Sequence, residues 1–480
     1  MRSGTDARLR HLEVFAIGFG ALLLRLPAFA ASRHFHPDDG TYGMSALAMR
    51  DGAVPFDTVF SSQGPLHLIL VYLGDLLTGR ATNSPRAMAV ASGVAAAVLA
   101  ALVGARLAGR RGGLIAGALV AASGAMLWTS GPLTADAPTI AFVLAALLAA
   151  LRYTDAPSAS RAALVGAMAG AALMCKVAVA LLGLAPALVL VLGGHTARWR
   201  HRGALSVSAL AVGAGLTLPF GAGRVWDQAI RYQLETERER SIGGNAVKVM
   251  TTLWSRDPVA LALIVLSVVT LARGGGVQIA RWYAMWTAAM AAFLVVQPAL
   301  WRNHMSHLIV PGALLAATTL GPARSRAAAR GHRARRTAIA VVLVAIVALQ
   351  AWFLRTILAP SPYGGPEREA VAALRNLPAD ARAVSDEVGL VWRAGRRTPD
   401  DLVDMSIKQF QQDRIDLTRL AEVARRPEVC AFLVWSHRHL AAVTGLPDAL
   451  TSAGFVRADT YVGSGGARVL WLKRGCESPG

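Results

Sequence analysis

Asp38 and Asp39 stand side by side in HPDDGTYGM, residues 36 to 44, directly after a long apolar run. A carboxylate held near a hydroxyl can take its proton, and a second acid close by raises the pKa of the first and makes it the better base. A third acid, Asp136 in LTADAP, comes just before another apolar run, and Lys176 in ALMCKVAV lies between two more. PALWRNHMSHLIVP adds Arg302, His304 and His307. Such groups can hold the negative charge that develops on a departing group. Each residue also has a plainer reading. Asp38 and Asp39 can cap a helix that begins near Thr41, and a lone lysine between two helices commonly snorkels toward the membrane surface. Ionisable groups at membrane depth are nonetheless functional candidates by default, and here both signs of charge gather at the ends of apolar runs.

The elements that must position these residues are membrane helices. Of the 480 residues, 54% are hydrophobic and only 16% charged, far more apolar than a soluble domain. The net charge of +20 comes from short basic clusters between apolar runs rather than from one basic face, so it reads as topology, and no nucleic-acid partner is expected. Eleven runs of spanning or near-spanning length occur, at about 12–31, 86–105, 112–131, 137–153, 161–176, 177–194, 203–220, 258–272, 280–298, 305–321 and 337–358. A twelfth, PLHLILVYLGDLLTG at 65–79, would reach only about 22 Å across a core of roughly 30 Å. If it does not span and the N-terminus is cytoplasmic, the arginines collect on the inner side, six of them (Arg324, Arg326, Arg330, Arg333, Arg335 and Arg336) in one loop. It is therefore read as an interfacial helix in a first outer loop, 32–85. Asp38, Asp39, Asp136, Lys176, the loop from 221 to 257 and everything after 358 then face outward. AFAAS at 28–32 has the look of a signal-peptidase site, but Arg25 within the run and the length of that run mark an uncleaved anchor.

After SPYGGP, 361–366, the composition becomes that of a soluble domain, with 16 basic against 15 acidic residues in the tail. CAFLVW (430–435) and ARVLWL (467–472) read as buried strands, and 366–376, 416–425 and 437–453 show helical spacing. The expected fold is an α-helical polytopic membrane protein with about 11 transmembrane helices (1–358) and a small C-terminal extracytoplasmic α/β domain (359–480). RYQLETERERSIGG, 231–244, reads as a solvated amphipathic helix in preference to a cover for the site. Three cysteines imply neither a metal cluster nor a disulfide framework; Cys430 and Cys476 read as unpaired thiols, with a bridge between them left open. His34 and His36 beside Asp38 make only a weak ligand signal, so no metal and no cofactor is expected.

The order of these features resembles the GT-C superfamily of membrane glycosyltransferases, and within it bacterial glycosyltransferase family 39, with the protein O-mannosyltransferases and lipid A aminoarabinose transferases as relatives. The matching residues are Asp38-Asp39-Gly40-Thr41-Tyr42, Gly64-Pro65-Leu66, Arg110-Arg111, Asp136-Ala137-Pro138 and Lys176. The resemblance implies transfer of a hexose or pentose from a polyprenyl-phosphate donor to a hydroxyl of a cell-envelope acceptor (glycan, lipid or protein), with inversion, at the outer face of the plasma membrane. Asp38 would then be the base, with Asp39 shaping the site and Asp136 assisting placement. Tyr42, Lys176, Arg302, His304 and His307 would bind substrate, and the apolar bundle would hold the lipid tail. This sequence departs from the family at Asp39, usually Glu, and at Gln63, often Lys, which leaves more of the phosphate to Lys176, Arg302 and His307. A lipid transporter or flippase and a non-catalytic envelope scaffold are the rival readings.

Overall fold

The structure, a computed structural model, describes residues 9–29, 37–79, 83–193, 198–275, 277–321, 333–359, 364–463 and 466–476. His34, His36 and the AFAAS stretch beyond residue 29 lie outside these, as do the first arginines of the 323–336 loop. The chain divides into two compact units: the first comprises residues 1–28, 88–216 and 238–360, the second 29–87, 217–237 and 361–480.

The first unit is helical. Its helices are His11–Leu23, the stretch Ala87–Ala122, Gly124–Ser130, Asp136–Asp155, Ala159–Cys175, Val177–Leu192, most of Trp199–Thr217, Ile242–Arg256, Pro258–Ala272, Ala280–Val296, Ser306–Leu320 and Arg333–Leu358. Three stretches are long and apolar enough to cross a membrane, Ser84–Ala122, Asp136–Asp155 and Trp199–Phe220, and the pair Ile242–Arg256 and Pro258–Ala272, bent by 113°, passes when taken together. The other apolar helices among the described residues are shorter.

Ala87–Ala122 is not one rod. A straight helix would set residues 101 and 117 about 24 Å apart at 1.5 Å per residue. Instead a Cβ placed at Gly117 would lie 2.7 Å from Cβ of Ala101. The chain turns back on itself at Ala108 and Gly109, and Gly109 takes φ +72°, a conformation glycine adopts without strain. The turn falls in RLAGRR, between the two runs read from the sequence. The second of those runs is broken at Ser123, whose Oγ accepts from Met126 N, while Asp257 accepts from the amides of Gly124 and Ala125. The first run also ends early, at Leu23, with Pro27 in the short 3₁₀ turn that follows.

Alanine and glycine fill the interior of this unit, with Ala96, Ala97, Ala100, Ala116 and Ala172 fully enclosed, which lets backbones approach closely. Large apolar side chains such as Val207, Leu210, Leu181 and Trp282 point outward. The polarity is thus reversed from that of a water-soluble helical protein. Arg25 is a charged side chain enclosed here: its Nε donates to Ser130 Oγ at 2.7 Å and its Nη1 to the carbonyls of Ala21 and Ala121 at 2.9 and 3.2 Å. These bonds offset part of the cost of enclosing its charge.

The second unit combines the helices Pro37–Arg50 and Pro65–Leu77, short turns around 218–234, and an α/β segment. Its sheet has β1 (Arg382–Ser385), β2 (Val429–Val434), β3 (Phe455–Gly463) and β4 (Gly466–Lys473) in the order β1-β2-β4-β3. β1 and β2 are parallel, and the other two pairings are antiparallel. Every residue of β2 is buried, as its unbroken apolar sequence requires of a central strand. Gly365–Arg375, Val388–Arg393, Ile407–Gln411, Leu417–Arg425 and Leu446–Ser452 are its helices.

Four expectations are corrected here. Cys430 and Cys476 are bonded, with S–S 2.05 Å, because β2 and β4 lie antiparallel and bring the residue at the start of one near the residue past the end of the other. The stretch 231–244 is no amphipathic helix: helical turns end at Leu234 and resume only at Ile242, where Ser241 caps the next helix. The helix expected over 437–453 reduces to a turn at 440–442 and Leu446–Ser452, separated by Gly445 at φ +83°. The helix after the acidic pair starts at Pro37, not near Thr41, since proline suits the first helical position and the two acids suit the first turn.

Candidate functional site

Asp38, Asp39 and Tyr42 share the acidic helix, Pro37–Arg50, in the second unit. Asp39 is 1% exposed and grips Arg86 with both oxygens, Oδ2 to Nη2 at 2.8 Å and Oδ1 to Nε at 3.2 Å. This is the parallel, two-bond arrangement that a guanidinium and a carboxylate favour. Asp38, one residue earlier and about a quarter of a turn around the helix, is only half-buried. Tyr42 is buried, its ring edge-on to His67 at 4.5 Å and its hydroxyl 3.4 Å from Ser62 Oγ. Loss of water, then the charges of Asp38 and Asp404, hold that hydroxyl well above the usual tyrosine range, so it stays a neutral donor.

The acidic helix is fixed along its length. Arg50 in its last turn pairs with the buried Asp75 of the Pro65–Leu77 helix, and Asp51, just beyond, pairs with Arg397. Between the ends it lies on Val388–Arg393: a Cβ at Gly40 would strike the backbone of Gly389, and one at Gly43 would come within 2.7 Å of the Trp392 ring. Only glycine at both positions allows this approach. Beside Gly389, Glu387 loses its water, and the charge of Asp386 adds to that loss; together they push its carboxyl up to about 8.

The second cluster belongs to the first unit. Asp136 opens the Asp136–Asp155 helix and is 1% exposed. Lys176 Nζ and His307 Nε2 both donate to its Oδ1 at 2.7 Å, and Asn303 Nδ2 donates to its Oδ2 at 2.8 Å. Because a carboxylate only accepts, His307 carries its proton on Nε2 here. Lys176 occupies the single extended residue between two helices (φ −157°, ψ 106°), which turns its side chain out of either helical path. His304, on the 3₁₀ turn Arg302–Met305, donates from Nδ1 to Gln297 Oε1 at 2.7 Å. Arg302 is exposed and lines a cavity of about 760 Å³ with Arg256, Trp254, Leu261, Phe353 and Ile357. Arg256 stacks on Trp128 at 4.2 Å, and its Nη1 is buried without an acceptor.

The structure thus gathers Asp136, Lys176 and His307 in one contact set, and Asp38, Asp39 and Tyr42 on one helix. Sequence reasoning missed Arg86, Asn303 and Arg256. Arg86 had a signal: an arginine at the end of an apolar run that the sequence reading turns outward runs against the positive-inside rule and so calls for a partner. Asn303 lay between Arg302 and His304, and a buried amide there had to find a bonding group. Among the described residues no group of three histidine, cysteine or acidic side chains could hold a metal ion.

The chain aligns with the crystal structure of ArnT from Cupriavidus metallidurans in the apo state at TM-score 0.63 and 16% identity, over 97% of this chain and 99% of that one. Against ArnT from Cupriavidus metallidurans bound to undecaprenyl phosphate the TM-score is 0.63 with 15% identity, over 98% and 99%. This chain therefore has the fold of ArnT. Residues 62–220 match the family of dolichyl-phosphate-mannose-protein mannosyltransferases, a stretch that holds Gly64-Pro65-Leu66, Arg110-Arg111, Asp136 and Lys176 and begins after the acidic helix. No curated protein matches the chain. The resemblance to GT-C glycosyltransferases read from the sequence is met at both levels, in the family match and in the fold.

Proposed function

We propose that the protein is an integral membrane glycosyltransferase that moves a sugar from a polyprenyl-phosphate donor to a hydroxyl of a cell-envelope acceptor, with inversion. The observation that carries this is the mannosyltransferase-family match across residues 62–220. In the reaction the acceptor oxygen bonds to the anomeric carbon, the bond from that carbon to the phosphate oxygen breaks, and the acceptor proton passes to Asp38. Asp38 takes this role by the family resemblance, and Asp39 and Asp136, held in ion pairs with Arg86 and Lys176, serve as anchors. Tyr42 has a hydroxyl proton to donate to bound substrate, Lys176, His304 and His307 are the candidate substrate-binding donors near Asp136, and the polyprenyl phosphate leaves toward cations.

The cavity beside Arg256 and Arg302 supports a lipid-linked donor. Its size suits an amphiphile, its apolar walls suit an isoprenoid, and its two guanidiniums suit a phosphate. Undecaprenyl phosphate bound to ArnT is the same class of molecule. Sidedness rests on two supports. The inner connections gather the arginines, and the Cys430–Cys476 disulfide belongs in an oxidising compartment. Both fit a multi-pass protein of the plasma membrane, with a transmembrane module over 1–358, an interfacial helix at 65–79 and residues 359–480 outside. The test is incubation of the purified protein with labelled polyprenyl-phosphate hexoses and pentoses and envelope lipids, glycans and proteins as acceptors. Transfer onto one of them is expected; no transfer across the panel, from folded protein, would refute the reading.

A further inference from the structure

Two glutamines on the helical turns Trp226–Arg231 and Tyr232–Leu234 hold the loop that carries Ser61 and Ser62, all within the second unit. Gln228 accepts from the Ser61 amide at 3.0 Å and donates to the Phe56 carbonyl at 2.9 Å. Gln233 donates from Nε2 to the Ser62 carbonyl at 2.8 Å, and its Oε1 accepts from Lys408 Nζ at 2.7 Å. Each amide thus uses both its donor and its acceptor. Phe56, buried in the same loop, takes φ +65° although it is not glycine, a conformation that persists only where its surroundings hold it.

Lys408 decides which way the Gln233 amide faces. An ammonium only donates and a carbonyl only accepts, so Oε1 must meet Lys408 and Nε2 must meet Ser62. Lys408 lies on the Ile407–Gln411 helix of the α/β segment. That segment meets the same turn twice more, through Ser406 Oγ, 2.9 Å from the Tyr232 hydroxyl, and through Gln412 Nε2, which donates to the Tyr232 carbonyl at 3.0 Å. On the far side, Ser62 Oγ lies 3.4 Å from the Tyr42 hydroxyl. Contacts therefore run in series from the α/β segment to the acidic helix: Lys408 to Gln233, Gln233 to Ser62, Ser62 to Tyr42.

We propose that Gln233 is a positioning residue: oriented by Lys408, it fixes Ser62 and, through Ser62, the place of the Tyr42 hydroxyl. The proposal rests on the transferase reading in taking Tyr42 as a substrate-binding group, and it gives the α/β segment a part in that site.

The test uses full-length protein in micelles, isotopically labelled at the hydroxyl-bearing ring carbon of tyrosine and read by NMR. The Tyr42 signal, assigned by its loss in Tyr42→Phe, shifts in Gln233→Met, which loses both bonds, and in Gln233→Glu, which keeps an acceptor for Lys408 but loses the donor to Ser62. In steady-state transfer with the labelled polyprenyl-phosphate sugar that the wild type uses, both substitutions raise KM about fivefold, the worth of one neutral hydrogen bond. They change kcat and melting temperature little, and neither raises KM further once Tyr42 is replaced by Phe. Lys408→Met, which frees the amide to turn, takes the place of a Gln233 variant that does not fold and should shift the same signal. An unmoved Tyr42 signal, an unchanged KM, or an equal KM rise in the Tyr42→Phe background overturns the proposal. No transfer by folded wild-type protein sinks the transferase reading, while the tyrosine signal still decides whether Gln233 holds Tyr42.

Discussion

Asp136 and the Asp38–Asp39 pair look alike in sequence, each an acid at the start of a helix, but their surroundings differ. Asp136 is held by Lys176, His307 and Asn303, donors from three elements that leave it little capacity to accept a proton. Asp39 spends both oxygens on Arg86, while Asp38 is half-buried at the same turn. The difference teaches that residue type nominates candidates and burial separates them. In this molecule two acids are about 1% exposed and brace their elements, and the third is half-buried.

Several substitutions would sharpen or break this contrast. The largest stability loss belongs to Arg86→Met, which takes the doubly bonded guanidinium away from the buried Asp39 at a cost of about 3–5 kcal/mol. Thermal unfolding should show it, and Asp39→Leu in the same chain should recover most of the loss. Lys176→Met should cost less, about 1–3 kcal/mol, because His307 and Asn303 still serve Asp136. An equal loss in the two would erase the distinction between the Asp39–Arg86 pair and the Asp136 cluster with its three donors. Gly43→Ala drives a methyl against the Trp392 ring and should cost about 1–3 kcal/mol; Trp392→Leu should relieve it, as melting temperatures of the single and double variants would report.

The last effect is spread over pH rather than tied to one contact. Glu387 titrates near 8 in the folded chain against about 4.5 unfolded, so between those values the folded state holds a proton that the unfolded state lacks. Stability should therefore be highest below about pH 4.5 as far as this group is concerned and fall by up to about 1.4 kcal/mol per unit as pH rises to 8. Glu387→Gln should flatten that slope. A slope unchanged by the substitution would show that the carboxyl beside Gly389 is already ionised.

The sequence made the helical module legible because spanning runs and arginine placement are strong, one-dimensional signals. β2 and β4 were legible as unbroken apolar strings, whereas β1 and β3 were not: β1 has four residues and β3 carries charges along an edge. The Cys430–Cys476 bond depended on the β2–β4 register, which no spacing rule encodes. Within the site, Asp136, Lys176 and His307 could be named from their positions at the ends of apolar runs. The Asp39–Arg86 pair spans 47 residues and became visible only through packing. So did the seat of the acidic helix on Gly389 and Trp392.

The most direct test of the central claim compares Asp38→Asn with the wild type in saturating donor and acceptor, with melting temperature measured alongside. The account predicts a fall in kcat of about 10²–10⁴-fold, the usual worth of a positioned base, with the melting temperature nearly unchanged. Equal turnover by the two proteins would contradict it.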